Sequence, residues 1–83
     1  MYQVQKKNGT WVDFDPNKLT NGVLMAGAGR DEAQKIAADI DNWLPTVAVN
    51  NVVTSMALRT KVVEELKKLN PTVAAAYESY QKG

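Results

Sequence analysis

The stretch Val4-Gln5-Lys6-Lys7-Asn8-Gly9-Thr10-Trp11-Val12-Asp13-Phe14-Asp15-Pro16-Asn17-Lys18-Leu19 turns the chain back on itself and then starts a helix. Asn8-Gly9 is a strong signal for a two-residue type I′ turn, in which both central residues take positive φ. Such a turn predicts a β-hairpin over residues 2–14 that pairs Lys7 with Thr10, Lys6 with Trp11 and Val4 with Asp13. One face then carries Val12 and Phe14, the other Tyr2, Val4 and Trp11. Periodicity does not choose between the faces; Val12 and Phe14 are assigned to the core. Immediately afterwards Asp15 can accept from the unpaired amides of a helix start, and Pro16 suits the first helical position, where its missing N–H has no consequence. Phe14 and Leu19 have the spacing of a hydrophobic staple.

Outward from this segment the chain reads as helices. Leu19, Val23 and Ala26 continue one apolar stripe, and Gly27-Ala28-Gly29 ends the first helix. A second helix is expected from Asp31 to Leu44, with Ala33, Ile36, Ala37, Ile40 and Leu44 on its stripe and Pro45 closing it. The valine-rich residues 46–53 suit a short third strand. Thr54 or Ser55 caps a third helix with the stripe Leu58, Val62, Leu66 and Leu69. Asn70-Pro71 repeats the cap-plus-proline device and opens a fourth helix, whose inner face is read as Val73, Ala76, Tyr77 and Tyr80. The expectation is a single α+β domain over residues 1–83, an N-terminal β-hairpin with a short third strand capping a four-helix bundle.

Composition removes most chemistry. There is no cysteine and no histidine. Disulfides, thiolate nucleophiles, the commonest general base and the commonest metal ligands are therefore missing. Asp13 and Asp15 flank Phe14 and suit a solvated position and a helix cap, and Glu64 and Glu65 are adjacent on a helix without converging. No catalytic residue is expected, and the chain is read as not an enzyme. Ten basic against nine acidic residues leave a net charge of +1. That gives no long-range field for DNA or an anionic membrane. No apolar run is long enough to span a bilayer, and no signal-peptide core follows Met1, so a cytoplasmic protein is expected. Gly27-Ala28-Gly29 follows a helix rather than a strand and lacks the lysine and hydroxyl residue of a P-loop, so it reads as a helix cap.

An anion site, if present, must be local. Lys6 and Lys7 precede the hairpin turn and Lys18 lies in the first turn of the next helix, whose N-terminus carries partial positive charge. A hairpin folded over that helix start would bring the three lysines onto a polyphosphate. The alternative is that they are solvated surface lysines, as most lysines are.

Residues 4–19 resemble the opening of the ATP-cone family: a valine, a basic pair, Asp or Asn with Gly, a strand, and Phe-Asp-Pro-x-Lys with an aliphatic residue. Val53-Thr54-Ser55-Met56-Ala57-Leu58, Val62-Val63-Glu64-Glu65-Leu66 and Ala76-Tyr77-Glu78-Ser79-Tyr80-Gln81-Lys82 are similar to later family segments, in the same order. ATP-cones occur in ribonucleotide reductases and in the transcriptional repressor of their genes. There they bind ATP or dATP and alter the oligomeric state of the parent protein. The resemblance implies phosphate contacts at Lys6, Lys7 and Lys18, adenine or sugar contacts at Asp15, Leu19 and Thr54, a polar contact at Arg59 and a closing basic residue at Lys82. It implies a nucleotide ligand, with or without Mg2+, and no prosthetic group. The implied partners are a second copy or a parent enzyme; direct nucleic-acid or membrane contact is not expected, because the net charge is near zero and no basic face is clustered. The chain departs from the family in having Lys6-Lys7 where many members have Lys-Arg, which removes a bidentate phosphate fork. It also has Val12 where some reductases place a glutamate. A non-catalytic helical interaction module that kept the fold and lost the ligand is the alternative.

Overall fold

In the computed structural model, which describes residues 2–80 without the side chain of Tyr80, a three-stranded sheet lies over four helices. The elements are β1 (Gln3–Gln5), β2 (Trp11–Asp13), α1 (Pro16–Met25), α2 (Arg30–Val47), β3 (Val52–Thr54), α3 (Ser55–Leu69) and α4 (Pro71–Tyr80). The sheet order is β2-β1-β3, with β1 antiparallel to β2 and parallel to β3. The α+β class, the hairpin and the four helices are as the sequence predicts; of the residues 46–53 read as a third strand, only Val52 and Val53 belong to it, because Thr46 and Val47 end α2 and Asn50 and Asn51 make a turn.

The register of the hairpin is not. Gln3 pairs with Asp13, Val4 with Val12 and Gln5 with Trp11. Lys6 then faces Thr10, its N–H donating to the Thr10 carbonyl at 2.8 Å, while Gly9 N–H donates to the Lys6 carbonyl at 2.9 Å. The loop is the three residues Lys7-Asn8-Gly9, and only Gly9 takes positive φ, at 86°. Asn8 serves the turn differently, its Oδ1 accepting from Thr10 N–H at 3.0 Å. A slip of one residue exchanges the faces of a strand. Here it sets Val4 beside Val12 and lets Tyr2, Val4 and Phe14 reach the core, while Val12 stays 37% exposed. A Cβ on Gly9 would meet nothing within 4 Å, so the turn constrains conformation and not space. Gly9→Val should lower stability by about 1–2 kcal/mol, and Gly9→Asn by less, because asparagine tolerates the left-handed region. Thermal melts of the two variants check the order.

The type I′ turn lies elsewhere. Asn50 and Asn51 have φ of 53° and 65°, and Val49 and Val52 exchange both backbone hydrogen bonds at 3.0 Å. The Asn51 carbonyl accepts from Gln3 N–H at 2.8 Å, which delivers β3 to the open edge of β1.

The helix ends follow their residues. Asp15 Oδ1 accepts from Asn17 N–H at 2.9 Å. At the far end of α1, Gly27 (φ 109°) allows Ala28 N–H to reach the Val23 carbonyl and Gly27 N–H the Leu24 carbonyl, a Schellman cap. Ala28 is thereby buried, whereas Ala26 is only half-buried. Helix α2 starts at Arg30, where Glu32 Oε1 accepts from Gly29 N–H at 2.9 Å. It runs through Pro45 to Val47 rather than stopping at Leu44. Proline removes one helical hydrogen bond so near the end, and the following turn is still closed by the Thr46 hydroxyl on the Trp43 carbonyl and by Ala48 N–H on the Leu44 carbonyl. Thr54, not Ser55, caps α3, its Oγ1 accepting from Ala57 N–H at 3.1 Å. Asn70 Oδ1 caps α4 through Val73 N–H at 3.3 Å.

The core is built from Ile36, Ile40, Leu44, Val62, Leu66 and Val23, all completely buried, with Val4 and Val53 closing it from the sheet. On α2, Ala37 is half-buried at the margin of the expected stripe. On α4 the inner face is Val73, Ala74 and Tyr77, and Ala76 is exposed. The cap at Asn70 fixes the helix phase so that 73, 74 and 77 share the side facing α3, and 76 does not.

Candidate anion site at the hairpin turn

The parallel pairing of β1 with β3 sets Gln5 beside Thr54, so the two strands end together. After Gln5 come Lys6 and Lys7, and after Thr54 comes the first turn of α3. Lys6, Lys7, Gly9, Thr54, Ser55 and Met56, with Gln5, bound one open hollow of about 350 Å³. That volume is in the range of small-ligand sites. The first turn of α3 offers amide donors beyond the one that Thr54 satisfies, and the positive end of the helix dipole points the same way.

The charges favour an anion. Lys35, Lys61, Lys67 and Lys68 each stand within 4.0 Å of a carboxylate. Lys6 and Lys7 have no such partner among the described residues and are exposed. Two adjacent cations beside a helix start, with no carboxylate among the described residues within 4.0 Å, form a local positive field inside a chain of net charge +1.

The remaining expected residues among those described do not line this hollow. Asp15 is occupied as the α1 cap, and Leu19 is a buried core residue. Lys18 is exposed on the first turn of α1, which follows β2 from the end of the sheet opposite the turn, and it lines no wall of the lysine hollow. Arg59 is half-buried, and its Nη2 donates to the Glu78 carbonyl at 3.1 Å, tying α3 to the last turn of α4. It borders a second hollow with Met56, Thr60, Val63, Glu64, Lys67 and Glu78. Met56 lines both hollows, so the two adjoin. Burial pushes the Tyr77 hydroxyl pKa up, against the opposing pull of the Arg59 charge, so Arg59 faces a neutral phenol at ordinary pH. Lys82 lies outside the described residues.

Ser55 and Met56 are the site residues that sequence reasoning missed. Only the pairing of residues 3–5 with 52–54 brings them to the lysines, and the two segments share no local signal. The Asn50-Asn51 pair before Val52-Val53 is the clue that could have placed the strand. No group of three or more acidic, histidine or cysteine side chains able to hold a metal occurs among the described residues.

The ATP cone domain model matches residues 2–82. The chain is 32% identical over 80 residues to the transcriptional repressor NrdR of Persephonella marina, an alignment that takes in 92% of this chain and 52% of that protein. The chain thus spans about half the length of the curated relative it matches. With the sheet, the four helices and the matched length in agreement, the chain belongs to the ATP-cone family.

Proposed function

We propose that this domain binds ATP or dATP as an effector in the cytoplasm and passes its occupancy to a partner, or to a further part of a longer chain, without catalysing a reaction. The observation that carries the reading is the exposed pair Lys6 and Lys7, without an ion-pair partner among the described residues, sharing a hollow with the Thr54-capped start of α3. The triphosphate sits there, with or without Mg2+, and the domain needs no prosthetic group. The family supports a nucleotide as the anion, and the repressor named among its relatives supports a regulatory use. Regulation then follows from differential affinity: a nucleotide that binds one arrangement of the domain better shifts the population towards it.

Lys18 joins the site from α1. Strand β1 rises only about 10 Å, less than the length of an extended nucleoside triphosphate, so a ligand seated at the turn reaches towards the other end of the sheet. On the family pattern Asp15 and Leu19 add adenine or sugar contacts, Arg59 a polar contact and Lys82 the basic residue at its close.

Calorimetric titration with ATP and with dATP tests the reading, alongside melting temperatures, which a ligand specific for the folded state must raise. Lys18→Ala is expected to weaken binding by about 1.5–3 kcal/mol with little loss of stability. No heat and no shift at millimolar nucleotide would leave the interaction module as the function. Binding that survives unchanged in Lys18→Ala would confine the site to the turn.

A further inference from the structure

Strand β2 is an edge of the sheet, and all three of its side chains are exposed. Its hydrogen-bonding phase is set. Lys6 N–H donates to the Thr10 carbonyl and Phe14 N–H donates to the Tyr2 carbonyl. The even-numbered residues therefore turn their peptide groups towards β1, and Trp11 and Asp13 turn theirs to solvent. Proteins commonly guard such an edge with lysine, proline or a bulge. Here the edge is short, three residues with Asp13 as its one charge, and its other two side chains are Trp11, 55% exposed, and Val12, 37% exposed.

We infer that β2 pairs with the β2 of a second copy, antiparallel about a two-fold axis at Val12, to make a continuous six-stranded sheet. Three observations select a second copy as the occupant. First, the phase fits: in this register Trp11 of one copy lies opposite Asp13 of the other, and both have outward peptide groups, so the four amide–carbonyl bonds close without a bulge. Second, the side chains fit. Val12 meets Val12 of the second copy on the helix-covered face, as a non-hydrogen-bonded pair in which side chains stand closest. Third, the charges complement each other. The turn end of the hairpin is basic, with Lys6 and Lys7, and the other end is acidic, with Asp13 and Asp15. The antiparallel arrangement runs the basic end of each copy past the acidic end of the other. A strand this short buries less than a standard interface, so the dimer is weak and concentration-dependent. The inference rests on the sheet alone and not on nucleotide binding.

The natural chain has no cysteine, so Val12→Cys introduces the sole thiol. At the two-fold axis the facing Cα atoms stand about 4.5 Å apart, within the range a disulfide spans. Asp13→Cys is the control, because this register sets residue 13 opposite residue 11 of the other copy, too far from its own counterpart for a disulfide. Under mild oxidation Val12→Cys should form a covalent dimer about tenfold faster or more than Asp13→Cys, and denaturant should abolish the difference. Circular dichroism confirms that both variants are folded. In sedimentation the wild-type mass should rise with concentration and that of Val12→Lys should not. Equal cross-linking rates in the folded variants, or a wild-type mass that stays monomeric at millimolar concentration, would overturn the proposal.

Discussion

Replacing both Lys6 and Lys7 by alanine should weaken ATP binding by two to four orders of magnitude while leaving the melting temperature nearly unchanged. Each lysine contributes a charged hydrogen bond of about 1.5–3 kcal/mol, and about 1.4 kcal/mol corresponds to tenfold in affinity. The two are neighbours, so their sum, about 3–6 kcal/mol, is an upper estimate. Stability should hold because both side chains are exposed and neither has a carboxylate partner among the described residues. The turn keeps its Lys6 backbone bonds whatever the side chain. Salt supplies a second readout: affinity of the wild type should fall as ionic strength rises, and the double variant should respond less steeply. Titration calorimetry at two salt concentrations measures both. An affinity within a few-fold of wild type would move the phosphate site away from the turn.

The largest effect on stability should come from Ile40→Ala. Ile40 is completely buried on α2, the helix that packs against both α1 and α3. Deleting its side chain removes apolar burial and leaves a cavity among rigid neighbours, for a loss of about 2–5 kcal/mol. A domain of this size has a total stability of only about 4–12 kcal/mol. The variant should therefore melt on the order of 10 °C or more below wild type. Val47→Ala, on the same helix but 41% exposed, should cost about 1 kcal/mol or less. If calorimetric melting gave the two variants equal shifts, α2 would not be the spine of the core.

Most of this architecture was legible because its instructions are local. Asp15-Pro16, Asn70-Pro71 and Thr54 start helices by satisfying amides two or three residues away, and the structure shows those bonds. The stripes of α2 and α3 locate the core for the same reason. The hairpin register was harder, since Asn-Gly suits a two-residue turn with two positive φ angles and also a three-residue loop with one. What decides is burial: the loop centred on Asn8 lets Tyr2, Val4 and Phe14 share the core face, and no pattern within the hairpin encodes that. Asn50 and Asn51 adopt the left-handed conformation without glycine, so they mark their turn less strongly than Asn8-Gly9 marks the hairpin. For the site, Lys6 and Lys7 were visible as a basic pair. Their neighbours Ser55 and Met56 were not, because they arrive through a pairing between segments separated by two helices.

That pairing has a kinetic consequence. Hairpin contacts close a short loop, but Val4 must find Val53 across the intervening helices before the sheet has a central strand. Closing so long a loop carries an entropic penalty that the few contacts of a three-residue strand offset only when α2 and α3 are already packed. An isolated two-stranded hairpin is at best marginally stable in water. On that basis the lysines should meet the start of α3 late, after helix docking, so that a partly folded chain would have helices but no hollow at the turn. Nucleotide present during refolding would act on the last step alone, slowing unfolding much more than it speeds folding.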